Sequence, residues 1–319
     1  MNSTGNLAPN RGASRGTFIQ YRARHVISWV TGILFTSLST LIVILVPALL
    51  GALLVRSWTL VSAIPLPRLL IGTEWRPLSG AFGFAPFIAG SLWVTAIALA
   101  VAVPVALLGA IYLAEYAHPR TRTSLKPLIE LLAGIPSVVY GLWGILVIVP
   151  VVRQLAAFTR TDNPTGYSVL SGGLVLAVMV IPFILALSEE VLRAVPQGLR
   201  EATLALGATQ WEVVKHVLLR QARSGIIAAV VLGFARAFGE TLAVLMVVGN
   251  VVQLPRSPFD AAYTLPALIA NNFGEMMSIP LYDAALMTAA LILFLIVFSF
   301  NFGARLVLRR VGGTDDVSQ

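Results

Sequence analysis

The sequence contains no cysteine. Disulfides, thiolate-held zinc and cysteine nucleophiles are therefore excluded. Lysine occurs only at Lys126 and Lys215, neither follows a glycine, and nothing reads G-x-x-x-x-G-K-[ST]. The chain has no P-loop of its own in which to hold ATP phosphates. Histidine is nearly as rare: His25, His118 and His216 each lie within two residues of an Arg or Lys at the edge of an apolar run. That is the setting of interfacial histidines without a catalytic role. No H-E-x-x-H is present, and no G-x-S-x-G lies within an apolar run, which removes the zinc-peptidase and serine-hydrolase motifs from the spans. Charge of either sign is scarce at 11% of residues, against about 25% in ordinary soluble domains. Long stretches must lie where water cannot solvate charge.

Hydrophobic residues make up 57% of the 319, and there are 26 glycines besides. Segments free of Asp, Glu, Lys, Arg and His run 26–55, 77–114, 131–152, 163–188 and 284–304, and 224–252 is interrupted only by Arg236 and Glu240. About 20 helical residues cross a hydrocarbon core of about 30 Å, so each run is long enough to span. The runs do not alternate with period two, which excludes a barrel, and lipid then requires helix. The spacing predicts an all-α polytopic bundle of six transmembrane helices near 28–54, 87–113, 129–152, 168–188, 224–250 and 283–307. The first run is about twice the length of a signal h-region and reads as a retained span. One membrane domain is expected over 26–311, with disordered tails at 1–25 and 312–319.

The net charge of +8 does not gather on one soluble face, so no nucleic-acid partner is implied; the partners of the spans are membrane lipids. Fifteen of the Lys and Arg fall in the N-terminal tail, the second and fourth loops and the C-terminus, six fall in the other three loops, and Arg236 lies within a span. The positive-inside rule places both termini in the cytoplasm of an inner-membrane protein.

Residues 189–223, between the fourth and fifth spans, carry the most informative soluble stretch. Leu199, Thr203 and Leu206 recur at helical spacing, Gly207 stands as a C′ residue, and Thr209-Gln-Trp-Glu212 reads as a capping box opening a second helix. Trp211, Val214 and Leu218 then form an apolar stripe. Helix, turn, helix is the expected form, and a plain connector would share it.

Residues 201–207 read EATLALG, followed by Val217-Leu-Leu219. This resembles the EAA loop of ABC importer permeases. ELLAGIPSVVYGLWGI at 130–145 and RAFGETLAVLMVVGN at 236–250 resemble segments of the PstC-type permease of phosphate transport. The resemblance covers about 85–305, and it departs from the family at Thr203, where a second Ala is usual, and at Arg220, where Pro is usual. It implies a type I ABC importer permease fold, no enzymatic activity and no cofactor, with ATP hydrolysis on a separate subunit. It further implies as partners two copies of an ATP-binding subunit, the sister permease PstA and an extracytoplasmic phosphate-binding protein. The ATPase would be met through Leu199, Glu201, Ala202, Thr203, Leu206 and Gly207. A permease for molybdate or sulfate, or the sister PstA itself, is the alternative identity.

Arg236 and Glu240 are the opposite charges in the middle of a span, and each costs about 2.5–3.5 kcal/mol at the bilayer centre. Four apart on one helix, they are expected to pair across a turn. A guanidinium also offers a planar fork of donors to an oxyanion, and the substrate path is placed at Arg236, Glu240, Thr241 and Ser137. Ser137 is the best candidate for an intramembrane nucleophile, but no base accompanies it. A passive anion channel would use Arg236 equally well; it would have no use for an EAA-type loop.

Overall fold

The computed structural model describes residues 13–158, 165–274, 279 and 281–312. Residues 1–55 and 56–319 form two units. In the first unit, helix α1 (Ala13–Ala63) begins, and it ends in the second. The expected tail over 1–25 is thus helical from Ala13 onward, because a helix nucleated by the apolar run propagates at one hydrogen bond per residue back through YRARH at 21–25. Residues 1–12 and 313–319 lie outside the described residues. Within α1 the polar side chains are satisfied locally: Thr36 Oγ1 donates to Gly32 O at 2.8 Å and Thr40 Oγ1 to Thr36 O at 2.8 Å. A hydroxyl in a lipid-facing helix needs such a partner.

The second unit continues with α2 (Leu66–Ile71), a two-stranded hairpin β1 (Trp75–Arg76) and β2 (Ala81–Phe82), and the span α3 (Ala85–Tyr116). Then come α4 (Pro119–Gly134), the span α5 (Ser137–Phe158) and the span α6 (Val169–Arg193). A short helix α7 (Gln197–Ala205) leads to the span α8 (Gln210–Phe238), followed by α9 (Leu242–Leu245), α10 (Leu265–Asn272) and α11 (Tyr282–Gly312). Among the described residues six helices, counting α1, are long and apolar enough to cross a membrane.

The centre of this unit is the pairing of α3 with α6. Ala98, Ala102, Ala106 and Ala110 recur every four residues along α3 and are buried. Small side chains let two backbones approach closely, which is how helices pack where lipid supplies no hydrophobic drive. On α6 the approach is so close that a Cβ on Gly173 would stand 2.5 Å from Ile97 Cγ2. Val94, Leu176, Val180 and Ile184 fill the rest of this core, to which Ala243, Val244 and Val247 contribute from α9 and beyond. A second apolar cluster at one end gathers Leu60, Leu69, Phe84, Phe87, Leu265 and Tyr282 around Trp75. A third, at the other end, joins Ala110, Leu192, Val213, Val214 and Leu218.

Two expected spans are corrected. The apolar run 129–152 is broken at Ile135, whose ψ of 132° is extended, because the ring of Pro136 excludes the helical region for the residue before it. The third span therefore begins at Ser137, and 119–134 is a separate amphipathic helix. The run 224–250 is likewise not one helix: α8 stops at Phe238, Gly239 caps it, and the chain restarts at Leu242.

Candidate functional site

Functional residues sit at three levels of the second unit. At one end, α7 hangs between the ends of α6 and α8. It ends as the sequence predicts: Gly207 takes φ +87°, its N–H donates to Leu204 O at 2.9 Å, and Leu206 N–H donates to Ala202 O. Thr209 and Glu212 then form a full capping box, Thr209 Oγ1 accepting from Glu212 N–H and the Glu212 carboxylate accepting from Thr209 N–H. No residue of α7 is buried. Leu199, Leu204 and Leu206 are exposed, the last at 90%, beside exposed Glu201, Ala202 and Gly207 and half-buried Thr203. Three exposed leucines, two on one short helix and Leu206 just past its end, form a surface that asks for a cover. The expected stripe divides: Val214 and Leu218 are buried in the bundle, while Trp211 stays outside with the leucines.

A long-range contact holds α7 in place. Arg200 reaches back to the ends of two spans. Its Nε donates to Glu115 Oε1 at 3.1 Å, its Nη1 to Val195 O at 2.8 Å and its Nη2 to Leu192 O at 2.8 Å. Both side chains of the Arg200–Glu115 pair are largely buried, and Gln210 Nε2 adds a bond to Glu115 O at 2.8 Å. One guanidinium therefore ties α7 to α3 and α6 together. In the sequence Arg200 is one more loop cation; Glu115, a carboxylate at the end of an apolar run, was the available sign that it had a partner.

Midway along the spans, the break after Phe238 separates the two charges, Arg236 exposed and Glu240 half-buried. Among the described residues the ion pairs are Arg56–Asp283, Arg193–Glu189 and Arg200–Glu115; Arg236 and Glu240 do not pair. The helix ends two residues beyond Arg236, so the i,i+4 geometry the pairing required is lost. Glu240 instead accepts from Ala243 N–H at 3.4 Å and caps α9, where a carboxylate meets the positive end of a helix. Thr241 Oγ1 donates to Gly239 O at 3.4 Å. Arg236 lies over the ring of Phe183, 5.4 Å from its centre. Its guanidinium donates no hydrogen bond to any described residue, so all five N–H groups stay open. Ser137 is half-buried on the first turn of α5, one turn from Tyr140. The α5 face bearing Tyr140 meets α9 at Gly141, where a Cβ would lie 2.6 Å from Met246 Sδ.

At the opposite end from α7, non-helical chain from 246 to 264 lines a cavity of about 1060 Å3, walled by Thr73, Tyr167, Asn250, Gln253, Arg256 and Asp260. Irregular backbone at membrane depth survives only where protein satisfies it or it lines water. Here Ser168 N–H donates to Val247 O, Val169 N–H to Asp260 O and Ala262 N–H to Val248 O. Leu245 and Met246, at the end of α9, form part of the floor, so α9 leads from the cavity back toward Glu240 and Arg236.

Residues 102–313 match the family described as "Binding-protein-dependent transport system inner membrane component". The chain belongs to this family. Curated relatives span most of it. The phosphate transport system permease protein PstC of Xylella fastidiosa (strain Temecula1) is 40% identical over 253 residues, 75% of this chain and 78% of that protein. The PstC of Haemophilus influenzae (strain Rd) is 36% identical over 288 residues, 86% of this chain and 90% of that one. The probable ABC transporter permease protein YqgH of Bacillus subtilis (strain 168) is 41% identical over 243 residues, 76% of this chain and 77% of it. Among solved structures, a chain of the inward-facing MetNI methionine ABC transporter matches with a TM-score of 0.53 at 22% identity, covering 72% of this chain and 94% of that one. A chain of a bacterial alginate ABC transporter matches with a TM-score of 0.52 at 15% identity, covering 81% and 96%. The fold is that of the type I ABC importer permeases, and the protein is a multi-pass inner-membrane transport component that works with a binding protein.

In such a permease the turn at Gly207 sets the angle between α7 and α8. Nothing lies within 4 Å of a Cβ placed there, so a larger side chain meets no clash, only the left-handed backbone. A β-branched residue at that φ costs about 1–3 kcal/mol. Gly207→Val is expected to tilt or fray α7 and cut ATP-driven transport about tenfold or more, with normal insertion of the chain into membranes. Wild-type flux in that variant would make the loop a mere connector.

Proposed function

We propose that this chain is the PstC-type permease subunit of an ATP-driven importer of inorganic phosphate. The observation that carries the reading is the identity of 34–40% to proteins named PstC over three quarters or more of the chain. The other half of the pathway would come from a sister permease of the PstA type. Two copies of an ATP-binding subunit would supply the energy, since this chain has no P-loop, and an extracytoplasmic phosphate-binding protein would deliver the anion to the 1060 Å3 cavity. The exposed leucines of α7, with Glu201, Ala202 and Thr203 on the same helix, support docking on the ATP-binding subunit. Closure of the ATPases would press α7, and the Arg200 clamp would pass that motion to α3 and α6.

Phosphate entering the outer cavity would follow α9 inward. Arg236 would then meet it with five uncommitted donors, the cation held over Phe183 without spending any N–H. Glu240 and Thr241, at the start of α9, would keep the site from binding too tightly, because conduction requires release. Ser137 would line the same stretch from α5. Both termini would be cytoplasmic, which the distribution of Lys and Arg supports. Cysteines introduced into this cysteine-free chain at Ser79 and at Thr314, the latter outside the described residues, are expected to label from opposite sides of the membrane. Labelling of both from one side would overturn the six-span topology. The subunit assignment is tested by affinity purification of the chain from native membranes. Recovery with an ATP-binding subunit and a second, non-identical permease is the expected result; recovery as a lone homo-oligomer would contradict it.

A further inference from the structure

Between α4 and the ends of α3 and α6, at the end of the unit that carries α7, lies a cavity of about 440 Å3. Nothing in the transport scheme uses it. Leu113, Ile129 and Leu185 give it an apolar wall, and charged side chains of both signs ring it: Arg122, Lys126 and Glu130 from α4, and Glu189, Glu190 and Arg193 from α6. A second opening of about 440 Å3 shares Arg122, Lys126, Glu130 and Arg193 and extends along α4 past Thr123.

Only Arg193 and Glu189 of these charges pair with each other. Arg122 is committed to carbonyls, donating through Nε to Leu113 O at 2.8 Å and through Nη2 to Ala114 O at 2.9 Å. The side chains of Lys126, Glu130 and Glu190 form no hydrogen bond or ion pair with any described residue. Glu189 is the decisive member. It is only 7% exposed, and its Oε1 has no hydrogen-bond partner. The one cation near that oxygen, Arg193 Nη1 at 3.5 Å, makes a Coulomb contact rather than a hydrogen bond. A carboxylate without a hydrogen-bond donor on the wall of a cavity is costly when nearly buried, and a ligand bearing N–H groups would remove that cost.

The required ligand thus has a cation for Glu189 and Glu190, an anion for Lys126 and the remaining edge of Arg122, and an apolar portion for the Leu113, Ile129 and Leu185 wall. Location selects the source. The cavity sits where membrane-spanning helices α3 and α6 end, and α4, its third wall, is amphipathic, with Leu128 and Leu131 exposed beside its charged positions. Such a helix lies in the headgroup layer. We propose that the cavity is a binding site for the headgroup of a zwitterionic aminophospholipid, its primary ammonium on Glu189 and Glu190 and its phosphate on Lys126 and Arg122. A bound headgroup would bridge α4 to α6 and fix the angle at which α4 meets the core. A primary ammonium brings three donors to the Glu189 and Glu190 carboxylates; a choline headgroup has none and would leave them unsatisfied.

Native mass spectrometry of the whole complex, extracted in mild detergent and supplied with defined lipids, tests this. Phosphatidylethanolamine is expected to be retained in preference to phosphatidylcholine and phosphatidylglycerol. Glu189→Gln and, separately, Lys126→Ala are each expected to reduce that retention about tenfold, the scale of one charge-assisted hydrogen bond. Lys126 is exposed, so its replacement leaves folding intact and decides the matter even if Glu189→Gln fails to assemble. Equal retention of the three lipids, or retention unchanged in Lys126→Ala, would overturn the proposal. So would binding of free phosphoethanolamine at the same site as tightly as the lipid, since the ligand would then be a soluble zwitterion.

Discussion

Arg236→Gln is expected to reduce phosphate uptake by roughly a hundredfold or more while the transporter still assembles. The size follows from the chemistry: a guanidinium gripping an oxyanion through two charge-assisted hydrogen bonds loses about 1.5–3 kcal/mol for each bond removed. The local structure makes the substitution clean. Arg236 makes no ion pair and donates no hydrogen bond to any described residue, so its removal leaves no partner stranded; only the contact with Phe183 is lost. Arg236→Lys should retain part of the activity, since an ammonium keeps the charge but not the fork. Glu240→Gln should behave differently. The amide oxygen can still accept from Ala243 N–H and hold α9, so the bundle should remain folded while the rate of phosphate release changes. Failure of Arg236→Gln to assemble would make the residue architectural and place the phosphate path elsewhere.

Arg200→Ala is expected to break coupling rather than binding. It would strand the Glu115 carboxylate, which is about as buried as the guanidinium it faces, and remove the bonds to Leu192 O and Val195 O as well. Breaking one side of a buried pair costs about 3–5 kcal/mol. With α7 released from α3 and α6, ATPase activity should no longer respond to the loaded binding protein, and uptake should fall more than tenfold at unchanged ATP turnover. A merely structural Arg200 would lower both in parallel with the amount of assembled complex. Because Arg200 and Glu115 touch, the double variant with Glu115→Gln should be less damaged than the sum of the single effects.

Much of the bundle was legible because lipid forbids everything but helix, so apolar length alone locates spans. The α7 loop was legible for a different reason. Gly207 and the Thr209–Glu212 box are local devices whose chemistry lies within four residues. Breaks inside an apolar run were not read, since hydropathy records greasiness and not continuity. Ile135 before Pro136 carried a usable warning; Phe238-Gly239-Glu240 carried only a weak one, a glycine followed by a carboxylate able to cap the next turn. That misreading also produced the supposed Arg236–Glu240 pair, which depended on helix continuing through Gly239. The Arg200–Glu115 clamp was invisible because its partners are 85 residues apart, and no local pattern joins the end of α3 to the start of α7.

Phosphate transport through this chain should require ATP. The most direct measurement is uptake of radiolabelled phosphate by vesicles holding the purified complex, with the phosphate-binding protein outside and ATP inside. Accumulation that requires ATP, exceeds that of sulfate and molybdate by at least about a hundredfold, and is abolished by Arg236→Gln is the predicted result. Phosphate entry that merely equilibrates without ATP, or uptake of sulfate or molybdate in preference to phosphate, would contradict it.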